Sequence, residues 1–387
     1  MNPERVGLLF SQQNSQIVRV IIIHKVPPFN TGGAERVVWK TAKKFASSGH
    51  EVIFFSPNSE MDREPPDIRG IDFRWIETTN DPTQSQLEFF LRGSVKYPEV
   101  FNSVNPDLIY DNICPFPFHI AHFYGNVPVM SKVHAVYRMD SFSCKHHPLV
   151  KVGTILGEET YRLFSDERFV TNSKSTNERL SSLVNNRRNE IIANPIGIDT
   201  SNFEFNIAAE SDTVLCLAKL TPRKDVSSLL EAWTDVEEQC PSANLVIAGS
   251  GPLESELRKK ADSLNLSNVE FKGYVSDEEK QQLLSSSLIY VLPTIYEGFG
   301  LSNLEAMASG CPVISTETWG VKDYLIDGQN GLLVEPKSPG QLASALLRLL
   351  NERELVKKLA ATGKETADEF PIEKALNREL ALAEEYV

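Results

Sequence analysis

The chain has no closely spaced cysteines. Its five, Cys114, Cys144, Cys216, Cys240 and Cys311, form no Cys-x-x-Cys pair and add to an odd total, which argues against the usual zinc spacings and a disulfide framework and suits a reducing compartment. It also lacks any apolar run of about 18 residues, the length a bilayer-spanning helix requires. The opening seventeen residues, "MNPERVGLLFSQQNSQI", carry neither the apolar core nor the small-residue cleavage pattern of a signal peptide and read as a loose extension. Positive charge is scarce: 39 Lys+Arg stand against 52 Asp+Glu, a net charge of -13. A duplex nucleic acid, held by neutralised phosphates, is therefore not an expected partner.

What is present is an alternation of strand and helix patterns. The 387 residues, 41% hydrophobic, suffice for two domains with separate cores. From Val18 the runs "VRVIIIH", "EVIFFS", "DLIYD", "VPVMSKVH", "RFVTN" and "EIIAN" are short, apolar and β-branched, with segments between them long enough for helical crossovers. Apolar runs of this kind belong to a parallel sheet covered on both faces. The rhythm restarts after "NPIGIDTSNF" with "TVLCLAKL", "ANLVIAGS", "VEFKGYV", "LIYVLPT", "CPVIST" and "GLLVEP". The expected division is an extension over 1–17, a first Rossmann-like domain over 18–200, a second over 201–370, and a closing helix over 371–387. Two capping boxes are expected, at Ser276 with Glu279 and at Ser302 with Glu305.

The segment "LPTIYEGFGLSNLEAMASGCPVIST" ends a buried strand at a glycine-rich turn that feeds a helix. Backbone N–H groups and the helix dipole can receive an anion there. Two glutamates, Glu297 at the turn and Glu305 in the helix, would repel a phosphate if aimed at it. They suit hydrogen bonds from sugar hydroxyls instead, although a cap alone would explain Glu305. In "AKLTPRKD", Arg223 and Lys224 are each weighed as a solvated surface charge.

Glu-Gly-Phe-Gly, a second glutamate eight residues beyond the first, and "AMASGCPVI" together resemble the C-terminal signature of family 4 glycosyltransferases, retaining enzymes of the GT-B fold. The likeness extends through "FNTGGAERVVWKTAKKFASSGHEV", "NPIGIDTSNF", "LAKLTPRKDVSSLLEAW", "LVIAGSGPLESELRKKA" and "YLIDGQNGLLVEP", and so covers most of the chain. It implies an α/β protein of two Rossmann-like domains with parallel sheets facing a central cleft. The substrate would be a nucleotide-diphosphate sugar, bound mainly by the C-terminal domain. The acceptor would be a hydroxyl on a glycan or lipid carrier, and the work would belong to cell-surface polysaccharide or glycoconjugate synthesis.

Carried over residue by residue, the resemblance makes Glu305 the ribose ligand and sets Glu297, with the backbone of Gly298, Phe299, Gly300 and Leu301, around the transferred sugar. Lys219, where the family usually has arginine, and Lys224 would face the diphosphate. His134 would lie close to the donor sugar, and Gly32 and Gly33 would let the first domain's backbone approach it. The chain lacks the Asp-x-Asp pair with which the other main transferase fold holds a divalent cation. The adjacent His146 and His147 have no further spaced ligands, so transfer without a metal or other cofactor is expected.

Other readings stay open on sequence. A nicotinamide dehydrogenase is suggested by Gly249 and Gly251, but Glu254 stands where its third glycine belongs. A sugar-nucleotide epimerase or a non-catalytic nucleotide-sugar binder would use the same scaffold. The expected location is cytoplasmic. The helix from Ala34 to Phe45, with Arg36, Lys40, Lys43 and Lys44, reads first as a solvated face and second as a peripheral contact with anionic lipid.

Overall fold

The computed structural model describes residues 17–24, 27, 33–58, 67–79, 82–112, 127–136, 168–184 and 190–387. Gly32 and the stretch containing His146 and His147 lie outside them.

Buried apolar runs set the framework. β1 (Arg19–Ile23), β2 (Glu51–Pro57), β3 (Ile71–Ile76), β4 (Leu108–Asp111), β5 (Val129–Val133), β6 (Arg168–Thr171) and β7 (Glu190–Ala193) form one sheet in the order β3-β2-β1-β4-β5-β6-β7. β8 (Thr213–Leu217), β9 (Asn244–Ala248), β10 (Val269–Gly273), β11 (Ile289–Leu292), β12 (Val313–Thr316) and β13 (Leu332–Val334) form a second in the order β10-β9-β8-β11-β12-β13. Pairings in both sheets run parallel. This is the expected α/β, doubly wound architecture.

Central strands are buried along their length, as continuous apolar sequence requires when helices cover both faces. The edge strands β3 and β10 alternate exposed with half-buried residues. "IDFRWI" in β3 therefore carries no apolar run, and the sequence pattern did not mark it. By contact density the chain forms two compact units, one holding the described residues up to Lys132 with Leu376–Val387, the other Val133–Ala375.

The connecting helices are α1 (Gly33–Ser47), α2 (Pro82–Val104), α3 (Lys174–Leu183), α4 (Val226–Gln239), α5 (Glu254–Ser263), α6 (Asp277–Ser286), α7 (Leu301–Ala308), α8 (Pro339–Asn351), α9 (Arg353–Asp368) and α10 (Ile372–Tyr386). The capping box at Ser276 and Glu279 opens α6 as expected. The second expected box does not form. α7 begins one residue before Ser302, with Gly300 as its N-cap in the left-handed region at φ 89°. A left-handed cap needs no side-chain partner, and Ser302 and Glu305 both lie inside the helix. No helix among the described residues is long and apolar enough to cross a membrane.

In the first unit, Lys132 of β5 reaches Glu379 of α10 with Nζ 2.9 Å from Oε2, and both side chains are almost fully enclosed. Burial lowers the lysine to about 7 and raises the glutamate to about 8, because each charge alone is disfavoured away from water. Removing one partner would strand the other. Lys132→Met is expected to cost about 3–5 kcal/mol in urea unfolding, whereas Lys132→Met with Glu379→Leu should return stability to within about 1 kcal/mol of the parent or exceed it. Equal losses in single and double variants would show that the pair is not mutually dependent.

Candidate functional site

In the second sheet the strand order reverses between β8 and β11. Ligands of open parallel sheets bind outside the carboxyl ends of the strands at such a reversal. β8 runs out into Lys219–Asp225 and β11 into Thr294–Gly300, so the two candidate segments meet there. Their backbones are tied: the Ile295 N–H donates to the Arg223 carbonyl at 2.8 Å, and Thr294 Oγ1 donates to the same oxygen at 3.1 Å. A 3-10 turn over Pro222–Lys224 leads to Asp225, which is left-handed at φ 45° and starts α4.

This join closes an ionic clamp. Glu297 Oε2 lies 2.5 Å from Lys224 Nζ and its Oε1 lies 2.9 Å from an Arg223 guanidinium nitrogen. Arg223 also donates to the Tyr296 carbonyl at 3.1 Å. Glu297 and Lys224 side chains are only 13% and 11% exposed. Burial alone would raise the Glu297 carboxyl, but Arg223 and Lys224 outweigh it and hold the group at about 2. Burial lowers the Lys224 ammonium, against the opposing pull of Glu297. Two cations thus face one carboxylate in the cluster.

The turn after Glu297 is fixed by contacts that only glycine allows. A Cβ on Gly298 would sit 2.3 Å from the His134 carbonyl, and one on Gly320 would sit 2.1 Å from the Gly298 carbonyl. Phe299 is buried, with its ring 5.2 Å from Tyr324 and 5.5 Å from Phe370. The Tyr324 hydroxyl donates to the Gly300 carbonyl at 3.1 Å and accepts from Asn303 Nδ2 at 3.0 Å. The start of α7 is thus held rigidly, and the N–H groups of a helix's first turn have no acceptor within their own helix. Further along α7, Glu305 Oε1 lies 2.9 Å from Lys280 Nζ.

The expected site residues separate accordingly. Lys224, Glu297, Gly298, Phe299, Gly300 and Leu301 form one locus, and His134 joins it through its backbone. Glu305 sits about one turn further along α7, paired to α6. Lys219 is exposed and forms no ion pair among the described residues. Gly33 is the exposed first residue of α1 in the other unit. Arg223 was weighed as a surface charge, and the structure puts it in the clamp. The signal available in sequence was its place beside Lys224 after Pro222, a proline that fixes the turn.

Other motif residues have structural duties. Asn194 Nδ2 donates to the Ala375 carbonyl at 3.0 Å, and a Cβ on Gly197 would lie 2.1 Å from the Phe370 carbonyl. Gly249 and Gly251 are required where the chain passes the exit of β8, since Cβ atoms there would meet the Ala218 and Leu220 carbonyls at 2.1 and 2.4 Å. Close packing explains both without a dinucleotide loop. Beside the clamp is a small cleft whose lining includes Glu297, Gly298, Thr176, Arg179 and Trp319. The Arg179 guanidinium stands 5.1 Å from the Trp319 ring centroid, and Asp323 accepts from the Ser175 N–H at 2.9 Å, fixing the start of α3.

The sequence matches the family Glycosyl transferases group 1 over residues 197–366 and Glycosyltransferase Family 4 over residues 31–202. An uncharacterised glycosyltransferase of Methanocaldococcus jannaschii is 30% identical over 86% of this chain and 88% of its own. A second from that organism is 34% identical over 42% of this chain, an alignment that spans about half of that relative, 45%. Among solved structures, sucrose-phosphate synthase from Thermosynechococcus elongatus superposes with a TM-score of 0.82 at 20% identity, covering 94% of this chain and 98% of that one. HepE of Anabaena, solved with UDP and glucose, gives 0.73 at 18% identity, covering 96% and 100%. At such identities these structures speak for the fold. The fold, the two family matches and the full-length relative agree: the chain belongs to the family 4-like glycosyltransferases of the GT-B fold.

Proposed function

We propose that this protein transfers a hexose, with retention at the anomeric carbon, from a nucleotide-diphosphate sugar to a hydroxyl on a glycan or lipid-linked acceptor. The observation that carries the reading is the Glu297–Arg223–Lys224 clamp at the order reversal of the second sheet. Cations beside a rigid helix start are suited to a diphosphate, and a carboxylate kept ionised is suited to sugar hydroxyls. HepE, which shares the fold, was solved with UDP and glucose, a ligand pair of the kind this site would take.

In this scheme the diphosphate lies at the N-terminus of α7, against the backbone of Gly298–Leu301, with Lys224 and Arg223 on its other side. Donor binding gives Glu297 sugar hydroxyls as partners in place of part of the clamp, and the released positive charge turns to the phosphates. Glu305 accepts from the ribose. His134, whose backbone abuts Gly298, stands next to the sugar, and Lys219 is assigned an outer role toward the diphosphate. Val133–Ala375 thereby supplies the donor site, and the acceptor is assigned to the N-terminal Rossmann-like domain.

The bond between the anomeric carbon and the phosphate oxygen breaks with its electron pair going to the diphosphate. The acceptor oxygen bonds to the same face of that carbon, and its proton passes to the departing phosphate oxygen. Charge grows on the diphosphate during this step, so fixed cations favour the transition state over the ground state. Side-chain cations and a helix N-terminus supply this stabilisation, and no metal is invoked.

Two measurements test the reading. A panel of nucleotide sugars screened by thermal shift should contain one that raises the melting temperature, since a ligand at about 100 times its Kd adds about 2.7 kcal/mol to the folded state; no shift with any of them would remove the donor site. With that donor, Lys224→Ala should lower kcat by about 10²- to 10³-fold. A near-normal rate would take the lysine out of the transition state, and donor conversion without any acceptor would replace transfer by isomerisation.

A further inference from the structure

Lys280 is absent from every role assigned so far, yet its position on α6 is unusual for a lysine. Its side chain is only 10% exposed, and long cationic side chains are seldom enclosed to that degree unless paired. Its ammonium lies 2.9 Å from Glu305 Oε1, 3.5 Å from Asp277 Oδ1 and 5.6 Å from the centre of the Phe203 ring. α6 is held in register by the capping box of Ser276 and Glu279, so the backbone that carries Lys280 is fixed as well.

Glu305 is likewise withdrawn from solvent, at 18% exposed. Lys280 occupies its Oε1, while Oε2 receives no hydrogen bond from any described residue. A glutamate side chain has three rotatable bonds, and an unpaired one would distribute its carboxylate over several rotamers. The ion pair removes that freedom and leaves one oxygen to accept from a ligand.

We infer that Lys280 is a positioning residue that orients the Glu305 carboxylate for the vicinal hydroxyls of the donor ribose, and so sets the protein's preference for ribonucleotides. The inference rests on the ribose role given to Glu305 above. Lys280 touches no reacting atom; its effect passes through Glu305, and it should appear in nucleotide discrimination rather than in the chemical step.

The test compares, by calorimetry, the affinities of a nucleoside diphosphate and its 2′,3′-dideoxy analogue, using whichever of UDP, GDP or ADP binds the parent protein most tightly. A charged acceptor that loses its donors should give the parent a preference of about 10- to 100-fold for the ribonucleotide. Glu305→Gln should bring that ratio close to one. Lys280→Met should reduce it at least about fivefold, while Lys280→Arg, which keeps an ion pair, should retain most of it. If Lys280→Met is poorly folded, Lys280→Gln serves in its place, with the melting temperature measured beside each ratio.

An unchanged ratio in Lys280→Met, beside a lost ratio in Glu305→Gln, would overturn the inference and leave the ribose role of Glu305 intact. Equal binding of the two nucleotides by the parent would overturn both. Failure of all three nucleotides to bind the parent would remove the donor reading on which both stand.

Discussion

An ionised carboxylate enclosed between two cations constrains everything around it. Glu297 stays charged because Arg223 and Lys224 reach it from a different loop, and they do so only because the exits of β8 and β11 are bonded to each other. Three further constraints follow from that junction. Thr294 and Ile295 must hold the Arg223 carbonyl, Gly298 must lack a side chain to pass His134, and Gly300 must adopt the left-handed cap that lets α7 start where it does. Two cations held beside one carboxylate can be shared with an anion once other hydrogen-bond donors take over part of the pairing to Glu297.

Two further enclosed ion pairs among the described residues illustrate different uses of charge. Lys132 and Glu379 are sealed from solvent. Their pairing joins a strand and a helix within one unit. Lys280 and Glu305 are also largely enclosed, but one carboxylate oxygen is left without a described partner. The difference between a closed pair and a half-open one separates a structural contact from a candidate binding group, and composition or sequence spacing cannot express it.

Much of the fold could be read from the amino acids. Central strands such as β1 and β8 are continuous apolar runs, and parallel sheets bury exactly such runs on both faces only when helices alternate with them. The turn from Glu297 to Leu301 was marked by its glycines. What escaped the pattern were elements without a continuous apolar run: β3, whose edge position leaves alternate residues exposed, and α2, a helix of 23 residues that tolerates Pro98 within it. The capping box at Ser302 was misplaced because Gly300 ends the turn through its own backbone, a conformation that spacing does not report. Arg223 and Lys280 gain their positions from loops and helices brought together only by the tertiary fold, and neighbouring residues in sequence say nothing about that.

Membership in the glycosyltransferases rests on the full-length relative and the two family matches, whereas the proposed donor geometry rests on the clamp. The most direct test of that geometry is a crystal structure of the protein with its preferred nucleotide sugar. The account predicts the diphosphate within hydrogen-bonding distance of Lys224 and of the backbone at Gly298–Leu301, with Glu297 on the sugar and Glu305 on the ribose. A donor bound elsewhere, with Glu297 still closed between Arg223 and Lys224, would contradict it.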